Sequence, residues 1–185
     1  MILSAMVTLL ILSLLLVTLY VGVATWRLGA LPDSISSMVY VLPEGGWRWL
    51  WTAWLWVVAL LTCIPAIEAL SYKGLEVFGF FTLVCIGFTG AMPLFLKEMI
   101  RTHYILSIAG GIFSQVCVLI ICPWFLALWL LMVWFLLDSL TAGDKPRWYD
   151  HKSVLISEAI CYASYIGSLL VFFLTLNSQL STLNL

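Results

Sequence analysis

An uncharged stretch of 34 residues, from position 104 to position 137, limits what this chain can fold into more than any other feature. As one helix it would be about 51 Å long, at about 1.5 Å per residue. The hydrocarbon core of a bilayer is only about 30 Å thick. The stretch therefore predicts two membrane-crossing helices joined by a tight reversal. Cys122 and Pro123 mark its position, because proline ends a preceding helix.

Composition extends this interpretation to the whole chain. Of the 185 residues, 64% are hydrophobic and only 9% are charged, and the mean hydropathy is +1.13. Soluble domains average about 45–50% apolar and about 25% charged residues, so a soluble globular domain and a disordered chain are excluded. The net charge of −1 leaves no basic patch for nucleic acid. The sequence predicts a polytopic protein whose first partner is the lipid bilayer.

The apolar runs predict an all-α bundle of six transmembrane helices, with residues 1–185 forming a single transmembrane domain. The first run lacks the charged start of a signal peptide and exceeds its apolar core of about 7–15 residues, so we expect an uncleaved span. The connections are too short to hold a domain outside the membrane. The predicted spans are 2–25, 47–70, 77–96, 104–121, 124–140 and 153–176.

The basic residues are unevenly distributed between the two predicted sides of the membrane. Lys73 alone follows span two, whereas the other seven lie in the connections after spans one, three and five. Short loops rich in Lys and Arg stay in the cytoplasm. We therefore predict that these three connections are cytoplasmic, that both termini lie outside, and that the membrane is a bacterial inner membrane. The seven residues are Arg27, Arg48, Lys97, Arg101, Lys145, Arg147 and Lys152.

The connection after span one, residues 27–46, mixes polar and apolar residues. Proline, serine and acidic residues surround an apolar centre made of Ile35 and residues 38–42, which a wholly solvated loop would not need. This loop is expected either to lie along the membrane surface or to fold back between helices. In the second case, protein or water must satisfy its backbone polar groups.

Four polar residues at the cytoplasmic side form the predicted ligand site: Ser36, His103, Asp138 and Glu158. Glu158 lies roughly 8 Å inside span six, where a carboxylate usually faces a bundle interior or a water cavity. The alternative is an interfacial Glu favoured by the helix N-terminus. His103 opens span four, and Asp138 lies in the last turn of span five. For both, the alternative is an ordinary interfacial residue, although Asp138 at a helix C-terminus needs a partner such as Arg101, Arg147 or His103.

Two enzymatic arrangements of these residues are less favoured than a binding site. His103 and His151 stand 48 positions apart, and a metal site needs three or four ligands, so no metal and no cofactor are expected. Ser34 or Ser36 with His103 and Asp138 supplies the residue types of a serine hydrolase. The chain has no G-x-S-x-G motif, however.

The favoured function is therefore a non-enzymatic membrane protein that binds or moves a small amphiphile or lipid headgroup under the residue 32–43 loop. One alternative is a membrane-embedded lipid hydrolase or transferase. Another is a structural or assembly subunit with a membrane-protein partner or a second copy of the chain. That alternative rests on the Trp-rich start of span two, which otherwise predicts an interfacial aromatic belt, and on small-residue pairs in span four. These pairs are Ser107 with Gly111 and Gly110 with Ser114.

Three short patches also resemble DRAM-like six-span membrane proteins, a group that includes proteins linked to GPI-anchor remodelling and to autophagy. Residues 32–36, Pro-Asp-Ser-Ile-Ser, are similar to the P-x-I-S element of their first loop. His103, followed by Ala109 and Phe113, resembles their His-led helix, and Glu158 resembles a late carboxylate. The resemblance implies a compact six-helix bundle with a polar site near one face, formed by Ser36, His103 and Glu158, and a role in lipid handling.

Overall fold

The structure, a computed structural model, describes residues 2–141, 149 and 151–183, and all regular structure in that part is helical. This confirms the predicted all-α class. The α-helices are α1 (Ile2–Leu28), α2 (Trp49–Ser71), α3 (Val77–Ala91), α4 (Ile100–Ile121), α5 (Trp129–Thr141) and α6 (Ser153–Leu183). Short 3-10 segments cover Ser36–Val41, Gly45–Arg48, Lys97–Met99 and Pro123–Leu128. Lys145 and Arg147 are two of the seven basic residues used above to predict the orientation in the membrane, and they lie outside the described residues.

Most of these helices are long and apolar enough to cross a membrane. Five segments within the described residues meet that condition by length and composition: Leu3–Leu28, Gly45–Ser71, Lys97–Ile121, Pro123–Thr141 and Ser153–Thr182. The remaining apolar helix, α3, has 15 residues and is therefore about 22 Å long. The chain is a multi-pass membrane protein, and α3 is the short member of its bundle.

The helices depart from the predicted boundaries at several ends: α1 continues to Leu28 and α6 to Leu183, whereas α3 is cut short at a proline. Span three was expected to reach position 96, but α3 ends at Ala91 and Met92 leaves helical geometry with φ −112° and ψ 66°. The next residue is Pro93, and the residue before a proline is pushed out of the α region. The reversal predicted at Cys122 is confirmed, since α4 ends there with φ −153°. The chain then continues from Pro123 as a 3-10 segment and becomes α-helical only at Trp129.

The core is built by α1, α2, α4 and α6, with α3 packed between α2 and α4. Its fully buried members include Leu10, Cys63, Val118, Leu169 and Phe173. In contrast, α5 has no buried residue and lies at the edge of the bundle, against α6 and the 3-10 segment before it.

The side-chain amide of Gln115 links the edge helix α5 to the bundle by hydrogen bonds. Gln115 Oε1 accepts hydrogen bonds from Trp129 Nε1, at 3.0 Å, and from Ser164 Oγ, at 2.9 Å. Gln115 Nε2 donates to the Cys161 carbonyl at 3.2 Å. A single polar residue of α4 thus joins α5 and α6 in an apolar setting, where unpaired polar groups are costly.

The small residues of α4 are used inside the bundle. A Cβ added to Gly110 would lie 3.0 Å from Ile86 Cγ1 of α3, and one added to Gly111 would lie 3.8 Å from Cys161 Sγ of α6. Ser114 is buried on the same helix. These positions let α4 approach its own neighbours closely.

A substitution at Gly79 of α3 tests the close packing of α3 against α2. Its added Cβ would lie 2.8 Å from Ile67 Cγ1 and 3.1 Å from Ile67 Cα, so rotation of the Ile67 side chain cannot relieve the whole clash. Gly79→Ala should lower the free energy of unfolding by about 1–2 kcal/mol, because overpacking outweighs the gain in helix propensity. Equilibrium unfolding in mixed micelles measures the change.

Gly22→Ala is the matched control, since nothing lies within 4 Å of its added Cβ. It should be neutral or stabilising by up to about 1 kcal/mol. Equal stability of the two variants would show that α2 and α3 do not pack as described.

Candidate functional site

Residues 29–48 form a strap that folds back into the bundle. Gly29, with φ +66°, follows the end of α1 and turns the chain. Ser34 and Ser37 then bond reciprocally, with Ser34 N donating to Ser37 Oγ at 3.1 Å and Ser37 N donating to Ser34 Oγ at 2.9 Å. Beyond this turn, Met38 and Val39 are fully buried. Of the two arrangements predicted for this loop, the structure therefore has the one in which it folds back between helices.

Ser36 and His103 meet beneath the strap. Ser36 Oγ and His103 Nε2 are 3.0 Å apart, although 67 residues separate them in the chain. On the other side of the ring, Nδ1 lies 2.8 Å from the Met92 carbonyl oxygen and 3.1 Å from the Thr89 carbonyl oxygen. Carbonyl oxygens only accept, so Nδ1 carries a hydrogen. In the neutral imidazole, Nε2 is then free to accept the Ser36 hydroxyl proton.

The early end of α3 creates the acceptors for His103. The last carbonyls of an α-helix have no partner within the helix, and Thr89 and Met92 lie at that end of α3. His103, in the first turns of α4, reaches back to both. Only 1% of its surface is exposed. The short α3 and the terminating Pro93 thus determine how the imidazole is oriented.

Glu158 holds the strap residue next to Ser36. Its Oε2 accepts a hydrogen bond from the Ile35 backbone N–H at 2.5 Å. The carboxyl group is half-buried in the second turn of α6 and faces the strap. A second link to the same helix end joins Lys152 Nζ to Asp33 Oδ1 at 2.5 Å. The contact with Ile35 agrees with a Glu that faces the bundle rather than one that only reaches to the interface.

Asp138 has a different surrounding from the other three predicted site residues. It accepts a hydrogen bond from the Tyr149 hydroxyl. Among the described residues, the hydrogen-bond partners of His103 are Ser36, Thr89 and Met92, so His103 is not the partner of Asp138. The structure therefore brings together Ser36, His103 and Glu158, whereas Asp138 belongs to a contact between α5 and the segment before α6.

Contacts of the strap place three connections at one end of the bundle, here named the strap end. Tyr40 Oη donates to the Leu94 carbonyl, in the connection between α3 and α4, at 3.2 Å. The ion pair between Lys152 and Asp33 ties the start of α6 to the strap. The connections after α1, α3 and α5 thus share an end, as the sequence arrangement requires.

Sequence reasoning missed two polar atoms around His103. Trp51 is 1% exposed, and its ring centroid lies 6.0 Å from that of His103, so this side chain packs inside the bundle. Its Nε1 and the Ser107 Oγ are both buried without a hydrogen-bond partner in the part of the chain that the structure describes. The position of Ser107, four residues after His103 and so on the same helix face, was the available signal.

Two further facts about this site concern metal ligands and the positions of two surface grooves. Within residues 2–141, 149 and 151–183, no group of three His, Cys, Asp or Glu side chains is placed to hold a metal ion. Two apolar grooves, of about 500 and 220 Å³, lie at the opposite end, near the turn between α4 and α5. Both grooves thus lie away from Ser36, His103 and Glu158.

Comparison of the chain with protein-family models, curated proteins and solved structures finds no match. The resemblance to DRAM-like proteins therefore stays a prediction, and the function is argued from the geometry of the strap end.

Proposed function

We propose that this protein has six membrane spans, with α3 as the short one, and binds a lipid headgroup or another small amphiphile at the strap end. Ser36, His103 and Glu158 are the proposed contacts. Asp138 is left out of the site because its described hydrogen bond is to Tyr149. The five long apolar helices already make the chain a multi-pass membrane protein. The ligand and the sixth span are what we propose beyond this.

The observation that carries this proposal is a set of buried polar groups whose bonding is incomplete. Ser36 and His103 pair under the strap. Nε1 of Trp51, whose ring lies beside His103, and Oγ of Ser107, about one helical turn after His103, have no partner among the described residues. A buried polar group without a partner costs about 1–3 kcal/mol. A headgroup with several oxygens would supply the missing bonds, and the apolar helix faces around it suit acyl chains.

The proposed orientation places the strap end in the cytoplasm and both termini outside, in a bacterial inner membrane. It is supported by the excess of Lys and Arg in the connections after α1, α3 and α5. The contacts that bring these connections together support a common side for all three.

Native mass spectrometry of the protein in mild detergent tests the binding proposal. Wild-type protein should carry a lipid or amphiphile mass, and Glu158→Gln should lower the ligand affinity about tenfold, since a buried hydrogen-bonding group that loses its partner costs about 1–3 kcal/mol. Collision-induced release then gives the mass and chemical class of the ligand.

Glu98→Gln is the matched control, because Glu98 is exposed and lies at the same end of the bundle. It should keep the bound ligand. Wild-type protein without any bound lipid after reconstitution with bacterial lipid extract, or equal binding by both variants, would contradict the assigned site.

A further inference from the structure

The Ser36–His103 contact has the geometry of an activated nucleophile. The distance of 3.0 Å between Oγ and Nε2 lies within hydrogen-bond reach for a serine and its general base, about 2.6–3.2 Å. The base is in turn oriented by a third group, here the two carbonyls at the end of α3. We propose that Ser36 is a catalytic nucleophile that accepts the acyl group of an ester-linked membrane lipid. This inference rests on the proposed function, since it names the substrate class of the same site.

The carbonyls at the end of α3 offset part of the cost of placing a charge on His103, which is buried in the first turn of α4. When Nε2 takes the Ser36 proton, the imidazole becomes a cation whose Nδ1–H points at the Thr89 and Met92 carbonyls. The C-terminus of a helix carries a partial negative charge and stabilises a nearby cation. The backbone thus performs the orienting role that a carboxylate performs in a Ser-His-Asp triad.

The position of Ser36 at the polar end of the bundle would bring it close to the ester bonds of membrane lipids. His103 lies in the first turns of α4, three residues after Ile100, and the strap reaches it from the polar end. The ester carbonyls of membrane lipids lie at this boundary between headgroups and acyl chains. Met38 and Val39, which follow Ser36 closely in the strap, are fully buried. Trp51 Nε1–H, which has no partner among the described residues and belongs to a ring beside His103, is the donor proposed for the substrate carbonyl oxygen.

The proposed reaction has two balanced steps. Ser36 Oγ forms a bond to the acyl carbon as its proton moves to His103 Nε2, and the ester C–O bond breaks as that proton passes to the leaving alcohol. Water, or the hydroxyl of a second lipid, then attacks the acyl-serine and gives its proton to Nε2. The bond between Ser36 Oγ and the acyl carbon then breaks, and Nε2 returns its proton to Oγ. The products are the alcohol with either a free acid or a new ester. Glu158 is a positioning residue, because it holds the Ile35 N–H beside the nucleophile.

Labelling by an alkyl fluorophosphonate tests this inference on wild-type protein in nanodiscs. Ser36 Oγ displaces fluoride and forms a stable bond to phosphorus, which intact mass and peptide mapping detect. We expect labelling of Ser36 at least about 100-fold faster than of Ser34, because general-base assistance contributes about 10²–10⁴. His103→Gln should remove that advantage, and Ser36→Ala should remove the adduct.

Ser181→Ala is the control, since Ser181 is exposed near the far end of α6. Its labelling profile should equal that of wild type. Equal labelling of Ser36 and Ser34 in the folded wild-type protein, or no labelling of Ser36, would overturn the nucleophile. In that case a lipid still seen by native mass spectrometry would leave the binding proposal standing, so the two failures are distinguishable.

Discussion

His103→Leu should lower the free energy of unfolding by about 3–5 kcal/mol, the largest loss of stability that we expect from one substitution in this chain. Leucine fills a similar volume but has no polar atoms. The Thr89 and Met92 carbonyls and the Ser36 hydroxyl would lose their partner at once. Since the site is buried, water does not readily replace the imidazole.

Equilibrium unfolding in mixed micelles measures this loss, with Thr102→Leu as the matched control. Thr102 is exposed on the same turn of α4 and has no side-chain hydrogen bond within the described structure, so its change should stay within about 0.5 kcal/mol. A similar small change for His103→Leu would show that the imidazole does not hold α3, α4 and the strap together.

A double-mutant cycle separates the serine contact from the carbonyl contacts of His103. Ser36→Ala combined with His103→Leu should be less destabilising than the sum of the two single changes, because each single change already breaks the same bond. Residues in direct contact usually show coupling energies of about 0.5–3 kcal/mol. Additive effects would place Ser36 and His103 apart.

The fold class was predictable because one physical constraint decides it. Residues 104–137 are uncharged and too long for one crossing, so a reversal at Cys122 was required, and it is present. The end of α3 was harder to predict. Apolar residues continue to Leu96, and hydrophobicity alone does not show that Pro93 stops the helix earlier.

The candidate site was predictable by residue type but not by partner. Charge and polarity singled out His103 and Glu158, and Ser36 came from the polar first loop and from the resemblance. The actual contacts join a loop, a helix start and backbone carbonyls that are distant in sequence. Asp138 was predicted at the same site because it is a charged residue on the same side of the membrane, but its hydrogen bond is to Tyr149. Tertiary packing alone determines which polar groups meet.

Glu158→Leu should release the strap from α6. The Ile35 N–H then loses its acceptor, and a buried polar group left without a partner costs about 1–3 kcal/mol. Each 1.4 kcal/mol corresponds to a factor of ten, so the Ile35 amide should exchange with deuterium about 10–100-fold faster. Hydrogen–deuterium exchange in nanodiscs, read on peptides that cover residues 29–48, measures the change.

The chemistry of the substituted group determines how far the strap opens. Glu158→Gln keeps a carbonyl acceptor, so its strap should exchange at a rate between those of wild type and Glu158→Leu, whereas Glu98→Leu removes an exposed carboxylate at the same end and should change nothing. The Lys152–Asp33 pair remains in all three variants, but ion pairs with an exposed partner contribute only about 0–1 kcal/mol. It therefore cannot replace Glu158.

Slow exchange in Glu158→Leu would mean that Ser36 and His103 hold the strap alone, and Glu158 would then be the interfacial carboxylate favoured by a helix N-terminus.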